Sequence, residues 1–270
     1  MPASQSPEEW WRRVLTGDNP DLPLRQFRNL WRRLPEGPRC QFCNAPYHGI
    51  GAPLMKLMGK APSRLSPHLC QQCQSYASRM LGGAEVELTM LFADVRGSTA
   101  LAEGLPAAEF SRLISHYFAV TAAVLADHHA WVDRFVGDQA VGYFVPGFAG
   151  NDHAAKALAA AGEILRQTGH GTPGGAWLPV GIGVHTGVAF VGSVGAAGQA
   201  TDITALGDAP NTAARLASAA RAGEILASEE ALKAAGLPAD GLERRELALK
   251  GKSQSVRVYV IHEMLSIEGR

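Results

Sequence analysis

Two aspartates and four cysteines are the residues whose types and spacing suggest chemistry. Asp94 stands in the segment Leu91-Phe-Ala-Asp-Val-Arg-Gly-Ser-Thr99. Polar and apolar residues alternate over Glu87–Ala93, which predicts a half-buried strand ending at the aspartate. Gly97, Ser98 and Thr99 then open a helix, and backbone N–H groups at such a start suit phosphate oxygens. Asp138 follows Gly137 in a turn between the apolar runs Trp131–Val136 and Gln139–Val145, a hairpin signal. Two carboxylates on adjacent strand ends can hold a pair of divalent cations around a triphosphate. Taken singly, each aspartate also fits an ordinary helix start or hairpin turn.

The cysteines form two pairs, Cys40-x-x-Cys43 and Cys70-x-x-Cys73. Two such pairs argue for a metal rather than disulfides in a chain expected to be cytoplasmic. Four thiolates in a tetrahedron suit Zn²⁺, and a short Gly/Pro-rich segment builds little core without a staple. An iron–sulfur cluster is the second reading, which would make the segment a redox sensor, and free or redox-switching thiols are the third. His48 and His68 stand nearby as substitute ligands, although a surface role is the expectation for both.

These residues need elements to position them. Ahead of the cysteines, Trp10, Trp11, Val14 and Leu15, then Leu24, Phe27, Leu30 and Trp31, fall at helical spacings, with Gly17–Pro20 dividing two short helices. Arginines flank the tryptophans, but such a stripe is expected to be buried against its own protein or a second copy rather than on a membrane. Beyond Asp94, Phe110, Leu113, Ile114, Tyr117 and Phe118 define one face of a long helix. An Ala-rich helix is expected over His153–Thr168, a strand pair over Pro179–His185 and Val188–Val194, a helix over Asp208–Ala220, and a late strand over Val256–Ile261.

Hydrophobic residues make up 46% and charged residues 19%, an ordinary globular balance. The formal net charge is zero. Residues 1–84 carry 11 Lys/Arg against 5 Asp/Glu, and the remainder carries the opposite excess. That modest local excess lacks interleaved aromatic residues of the kind that bind nucleic acid, so no nucleic-acid partner is expected. No apolar run is long enough to span a bilayer, and the polar N-terminus does not read as a signal peptide, so a cytoplasmic chain is expected. Ile267–Arg270 reads as a protease-recognition tetrapeptide and carries no functional weight.

Five strings fall in one order. They are Phe92-Ala-Asp-Val-Arg-Gly-Ser-Thr99, Val136-Gly-Asp138, Gly181-Ile-Gly-Val-His-Thr-Gly187, Gly207-Asp-Ala-Pro-Asn-Thr-Ala-Ala-Arg-Leu216 and Leu249-Lys-Gly-Lys252. In this order and spacing the chain resembles the class III adenylyl and guanylyl cyclases over about residues 85–263. The resemblance implies an α/β (α+β), ferredoxin-like domain that works as a homodimer, with sites at the interface. The expected organisation is therefore amphipathic helices at 1–37, a metal-binding module at 38–75, a connector at 76–84, the cyclase domain at 85–263 and a tail at 264–270. No family is recognised for residues 1–84.

The same resemblance implies residue roles. Asp94 and Asp138, with the backbone carbonyl of Val95, would hold two Mg²⁺ or Mn²⁺ ions. Asn211 and Arg215, from the second copy, would orient the ribose and stabilise charge on the reacting phosphate. Lys252 would bind the terminal phosphates, with Lys250 as the alternative in register. Thr204 and Arg134 fall at the positions that read the purine. Thr204 fits an adenylyl subgroup, whereas Arg134 replaces the lysine usual in adenylyl cyclases. The Glu and Cys that guanylyl cyclases typically place there are absent. ATP is thus the expected substrate and cyclic AMP with pyrophosphate the expected products. A guanylate cyclase, or a degenerate cyclase fold acting as a nucleotide-binding regulator, is the alternative. A metal-ribbon interaction protein is the reading from another class.

Overall fold

A computed structural model gives the fold. It describes residues 6–262, apart from 20, 21, 23, 33, 35–37, 67, 134, 136, 196–200 and 249–254. The chain forms two compact units, neither continuous in sequence. The first takes Met1–Glu87, Val145–Gly150 and Val188–Gly207; the second takes Leu88–Phe144, Asn151–Gly187 and Asp208–Arg270.

The first unit begins with α1 (Pro7–Thr16) and α2 (Leu24–Arg32). Ser6 caps α1 by accepting from the Glu9 N–H at 3.2 Å, Pro7 opens the helix, and Gly17 closes it in the left-handed region. The tryptophan stripe is buried within this unit. The Trp11 indole donates to the Met80 carbonyl at 2.7 Å, and Trp10 stacks on Tyr76. Short helices α3 (Ala52–Leu57) and α4 (Gln71–Arg79) follow. Residues 76–84, expected as a connector, are occupied by the end of α4, a two-residue break and the start of β1 (Gly82–Val95).

In the second unit β1 pairs antiparallel with β3 (Gln139–Phe144), which pairs in turn with β2 (Trp131–Val132). The pairing is the expected one, but β2 is described over Trp131–Val132 rather than the expected Trp131–Val136; Gly137, before Asp138, has the positive φ of 64° that suits a turn. Between β1 and β2 come α5 (Ser98–Gly104) and the long α6 (Ala107–Asp127), whose buried face carries Ile114, Tyr117, Thr121, Val124 and Leu125. After α7 (Pro146–Ala149), in the first unit, α8 (His153–Gln167) packs with α6 and against β3.

β4 (Val180–Gly195) is one strand of 16 residues, which corrects the expected strand pair. Gly187 lies in extended backbone rather than in a turn. The beginning of β4 pairs parallel with β6 (Ile225–Ser228), and its end pairs antiparallel with β5 (Thr201–Leu206) in the first unit. α9 (Asp208–Ala219), α10 (Glu229–Ala235), β7 (Glu243–Leu247) and β8 (Val256–Ile261) complete the described elements. The sheet order is β2-β3-β1-β4-β6-β8-β7, with β5 on β4. The expected mixed α/β class is the observed one. Among the described residues, no helix is long and apolar enough to cross a membrane.

Candidate functional site

Strand register brings the two aspartates together. Asp94 pairs with Gln139 across β1 and β3, so Asp138, one residue earlier in the turn, sits beside it. Burial pushes the Asp94 carboxyl up from the usual range; Arg96 opposes this, and the charge of Asp138 adds to it. Two like charges converging on one strand end form a donor set for a cation. Carboxylates with the carbonyl of Val95, the last residue of β1, are hard oxygen ligands of the kind Mg²⁺ and Mn²⁺ prefer.

Two residues outside the expected set hold this corner. Arg96 is ion-paired with Asp94, and its guanidinium also donates to the carbonyl of Ser218 at 2.9 Å and of Ala220 at 3.5 Å, at the C-terminal end of α9. The buried Tyr117 hydroxyl donates to the Ala93 carbonyl at 2.9 Å, fixing β1 one residue before the carboxylate. Arg96 was visible only as a letter of the Asp94 motif, and Tyr117 only as one position of an apolar helix face.

Asn211 and Arg215 stand four apart on α9, opposite the buried stripe Thr212, Ala213, Leu216 and Ala217. Asn211 is exposed and Arg215 half-buried. α9 lies directly on the sheet at Gly183, where a Cβ would meet the Ala217 nitrogen at 2.3 Å and the Ala213 carbonyl oxygen at 2.5 Å. The glycine of the Gly-Val-His-Thr-Gly string is thus a packing requirement for the helix that carries Asn211 and Arg215. Thr204 is half-buried on β5, in the first unit, opposite Gly192. Arg134 and Lys252, like the fallback Lys250, lie outside the described residues.

The four cysteines converge in the first unit. All are buried, and their sulfurs lie within 4.8 Å of one another, a group able to hold a metal ion. The first pair sits in a tight turn, in which the Asn44 N–H donates to the Cys40 carbonyl at 2.8 Å. The second opens α4: Cys70 is the N-cap, its Sγ accepting from the Cys73 N–H at 3.4 Å. The Cys70 N–H in turn donates to Cys40 Sγ at 3.3 Å, joining the pairs. Neither His48 nor His68 belongs to the group found among the described residues.

The family model described as the adenylate and guanylate cyclase catalytic domain matches residues 84–263. An uncharacterized protein of Mycobacterium tuberculosis is 34% identical over 182 residues, covering 66% of this chain and 33% of the relative. An adenylate cyclase of Anabaena cylindrica is 27% identical over 185 residues, covering 64% of this chain and 36% of the relative. The chain thus spans about a third of the length of these curated relatives. Among solved structures, guanylyl cyclase Cya2 aligns with a TM-score of 0.61 and 29% identity, over 70% of this chain and 98% of that one. The adenylyl cyclase CyaB from P. aeruginosa aligns with a TM-score of 0.55 and 30% identity, over 66% and 94%. With the paired aspartates, α9 and the mixed sheet in place, this chain belongs to the adenylate and guanylate cyclase catalytic-domain family.

Proposed function

We propose that this chain is an adenylate cyclase, forming 3′,5′-cyclic AMP and pyrophosphate from ATP at sites shared by two copies of the chain. The observation that carries the reading is the juxtaposition of Asp94 and Asp138 at one strand end within a cyclase-family domain. Bound there, two Mg²⁺ or Mn²⁺ ions supply charge neutralisation for the phosphates and ease loss of the ribose 3′-hydroxyl proton. Asp94 and Asp138 hold the ions through carboxylate oxygens, with the Val95 carbonyl as a further ligand. Asn211 of one copy orients the ribose, and Arg215 faces the charge that grows on the reacting phosphate. Lys252 meets the terminal phosphates. The 3′-oxygen bonds to the α-phosphorus as the bond to pyrophosphate breaks.

ATP is preferred over GTP because Arg134 keeps a donor for adenine N1 and Thr204 fits an adenylyl subgroup, and neither is the acid or thiol expected of a guanine reader. The likeness to guanylyl cyclase Cya2 favours the second reading, a guanylate cyclase. The cysteine centre serves as a scaffold or regulator of the cyclase. Purified protein incubated with Mn²⁺ and either ATP or GTP, with products separated by anion exchange, decides. Cyclic AMP as the faster product is expected. Faster cyclic GMP formation selects the second reading, and the absence of both products selects a nucleotide-binding protein without turnover.

A further inference from the structure

The spacing of the four sulfurs limits what they can hold. A single ion with Zn–S bonds of about 2.3 Å sets tetrahedral thiolates about 3.8 Å apart. Cys43 Sγ and Cys70 Sγ are 3.8 Å apart, and no pair among the four exceeds 4.8 Å. An iron–sulfur cluster distributes its thiolates over two or four irons with sulfides between them, which spreads the sulfurs further than one ion does. The cage therefore has the size of a mononuclear centre.

The charges around it agree. One divalent ion with four thiolates leaves two formal negative charges in excess. Two cations flank the sulfurs in the buried interior. Lys60, 8% exposed, places Nζ 3.9 Å from Cys43 Sγ and donates to Gln72 Oε1 at 2.7 Å. Arg28, 5% exposed, donates to the carbonyls of Gln41 and Phe42, within the first Cys-x-x-Cys turn. Among the described residues, no carboxylate pairs with Lys60. Four neutral thiols would leave this buried ammonium without an opposite charge, at a cost proteins avoid.

The centre also reaches a strand outside its own loops. Cys70 caps α4 and Cys73 lies in its first turn, and α4 packs against β5, the strand that carries Thr204. A ligand set at the helix start fixes the helix axis, and the helix then fixes the strand.

We propose that Cys40, Cys43, Cys70 and Cys73 bind one Zn²⁺ as a closed, redox-inert centre that holds α4 and, through α4, strand β5 with Thr204. Its bearing on nucleotide selection rests on Thr204 reading the purine, as argued above; metal identity and the hold on β5 do not.

The test uses the full chain purified without oxygen. Elemental analysis is expected to give one zinc per chain, with no iron and no acid-labile sulfide. Exchange for Co²⁺ should produce the intense visible bands of tetrahedral cobalt–thiolate. Iron with sulfide, iron alone, or the absence of bound metal overturns the proposal. Releasing the zinc with an organomercurial, followed by a zinc-sensitive dye, then permits hydrogen exchange with and without the ion. The amides of α4 and β5 should exchange about tenfold faster or more after release, while those of β6 and β8 keep their rates. Acceleration in α4 with β5 unchanged overturns the coupling. Because neither readout needs turnover, failure here is separable from failure of the cyclase reading. Cys73→Ser is the direct variant; if it does not fold, Lys60→Gln keeps the sulfurs and should speed zinc release, and an unchanged release rate counts against the charge argument.

Discussion

Arg96 is ion-paired with Asp94, two residues back along the chain, and the same guanidinium donates to the Ser218 carbonyl at 2.9 Å. One side chain thus neutralises a candidate metal ligand and anchors the C-terminal end of α9, where exposed carbonyls attract a cation. A divalent ion at Asp94 has to compete with that pairing. Arg96→Gln should therefore reach half-maximal activation at a lower Mn²⁺ concentration. Its maximal rate should fall about tenfold, in line with the loss of hydrogen bonds to charged groups. A Mn²⁺ titration at saturating ATP measures both, and an unchanged half-saturation point would show that Arg96 does not compete.

Asp94→Ala and Asp138→Ala should each abolish turnover while leaving the fold intact. Asp94 sits at the end of its strand and Asp138 in a turn, so neither truncation opens the core. If the two carboxylates together supply about 4 kcal/mol of charge stabilisation, the loss is roughly a thousandfold. Initial rates at saturating Mn²⁺, beside circular dichroism spectra, check both halves of this expectation. Near-normal turnover by either folded variant sinks the paired-ion assignment.

If each site takes Asp94 from one copy and Arg215 from the other, two dead variants should rescue each other. Asp94→Ala and Arg215→Ala are each expected to be inactive. Mixed and allowed to exchange subunits, they form one site with only native groups, so activity should return to a fraction of the native rate. Heterodimers demonstrated by mass spectrometry but lacking activity would refute the shared site.

Much of this arrangement was legible in the chain. The alternation into Asp94 and the Gly137–Asp138 turn mark strand ends by local rules, and both aspartates arrive where those rules put them. Local rules divide Pro179–His185 from Val188–Val194, yet β4 runs on through Gly187, whose missing side chain answers to Ala209, with a Cβ that would stand 3.0 Å from an added one. The carbonyl partners of Arg96 at the end of α9, Ser218 and Ala220, are 122 and 124 residues distant, beyond any spacing rule. The first unit was hidden for the same reason: Phe148, far along the sequence, packs edge-on against Phe42 at 5.2 Å and under Arg28 at 4.8 Å. The four cysteines were legible as two Cys-x-x-Cys pairs, whereas the spacing of their sulfurs exists only in three dimensions.

Gly183→Ala should cost more activity than its size suggests. A methyl there would stand 2.3 to 2.8 Å from backbone atoms of Ala213, Leu216 and Ala217, which cannot rotate away. α9 has to move off the sheet by about an ångström, a displacement of Asn211 and Arg215 that can cost about a hundredfold in rate. Overpacking of this kind also destabilises by about 1–3 kcal/mol. Gly104→Ala, with open space around the added methyl, is the control and should be neutral. Turnover and urea midpoints report the two effects separately, and an active, stable Gly183→Ala protein would mean that α9 tolerates the shift.

The Glu224–Arg245 pair should set part of the acid limit of stability. Glu224 is 2% exposed and accepts two bonds from Arg245, at 3.0 and 2.9 Å, and a third from the Arg221 N–H at 2.9 Å. Arg245 is the main cause holding the Glu224 carboxyl below its usual value in the folded protein. A carboxyl depressed on folding stabilises the native state above its unfolded pKa, about 4.3 for Glu, and loses that contribution as pH falls through the lower folded value. Urea unfolding of the native chain should therefore weaken as pH drops below about 4.5, and Glu224→Gln should flatten that decline. Arg245→Leu leaves a buried carboxylate without its counter-charge and should lose about 3 kcal/mol at neutral pH. Part of that loss should return on acidification, because protonating an unpaired buried carboxyl relieves the penalty. Both variants should therefore lessen the acid decline of the native chain, Glu224→Gln by removing the titrating group and Arg245→Leu by removing the counter-charge that holds it low. If Glu224→Gln declines with acid as steeply as the native chain, the pair does not govern the acid limit, and its bidentate geometry contributes only to local packing between β7 and the turn before β6.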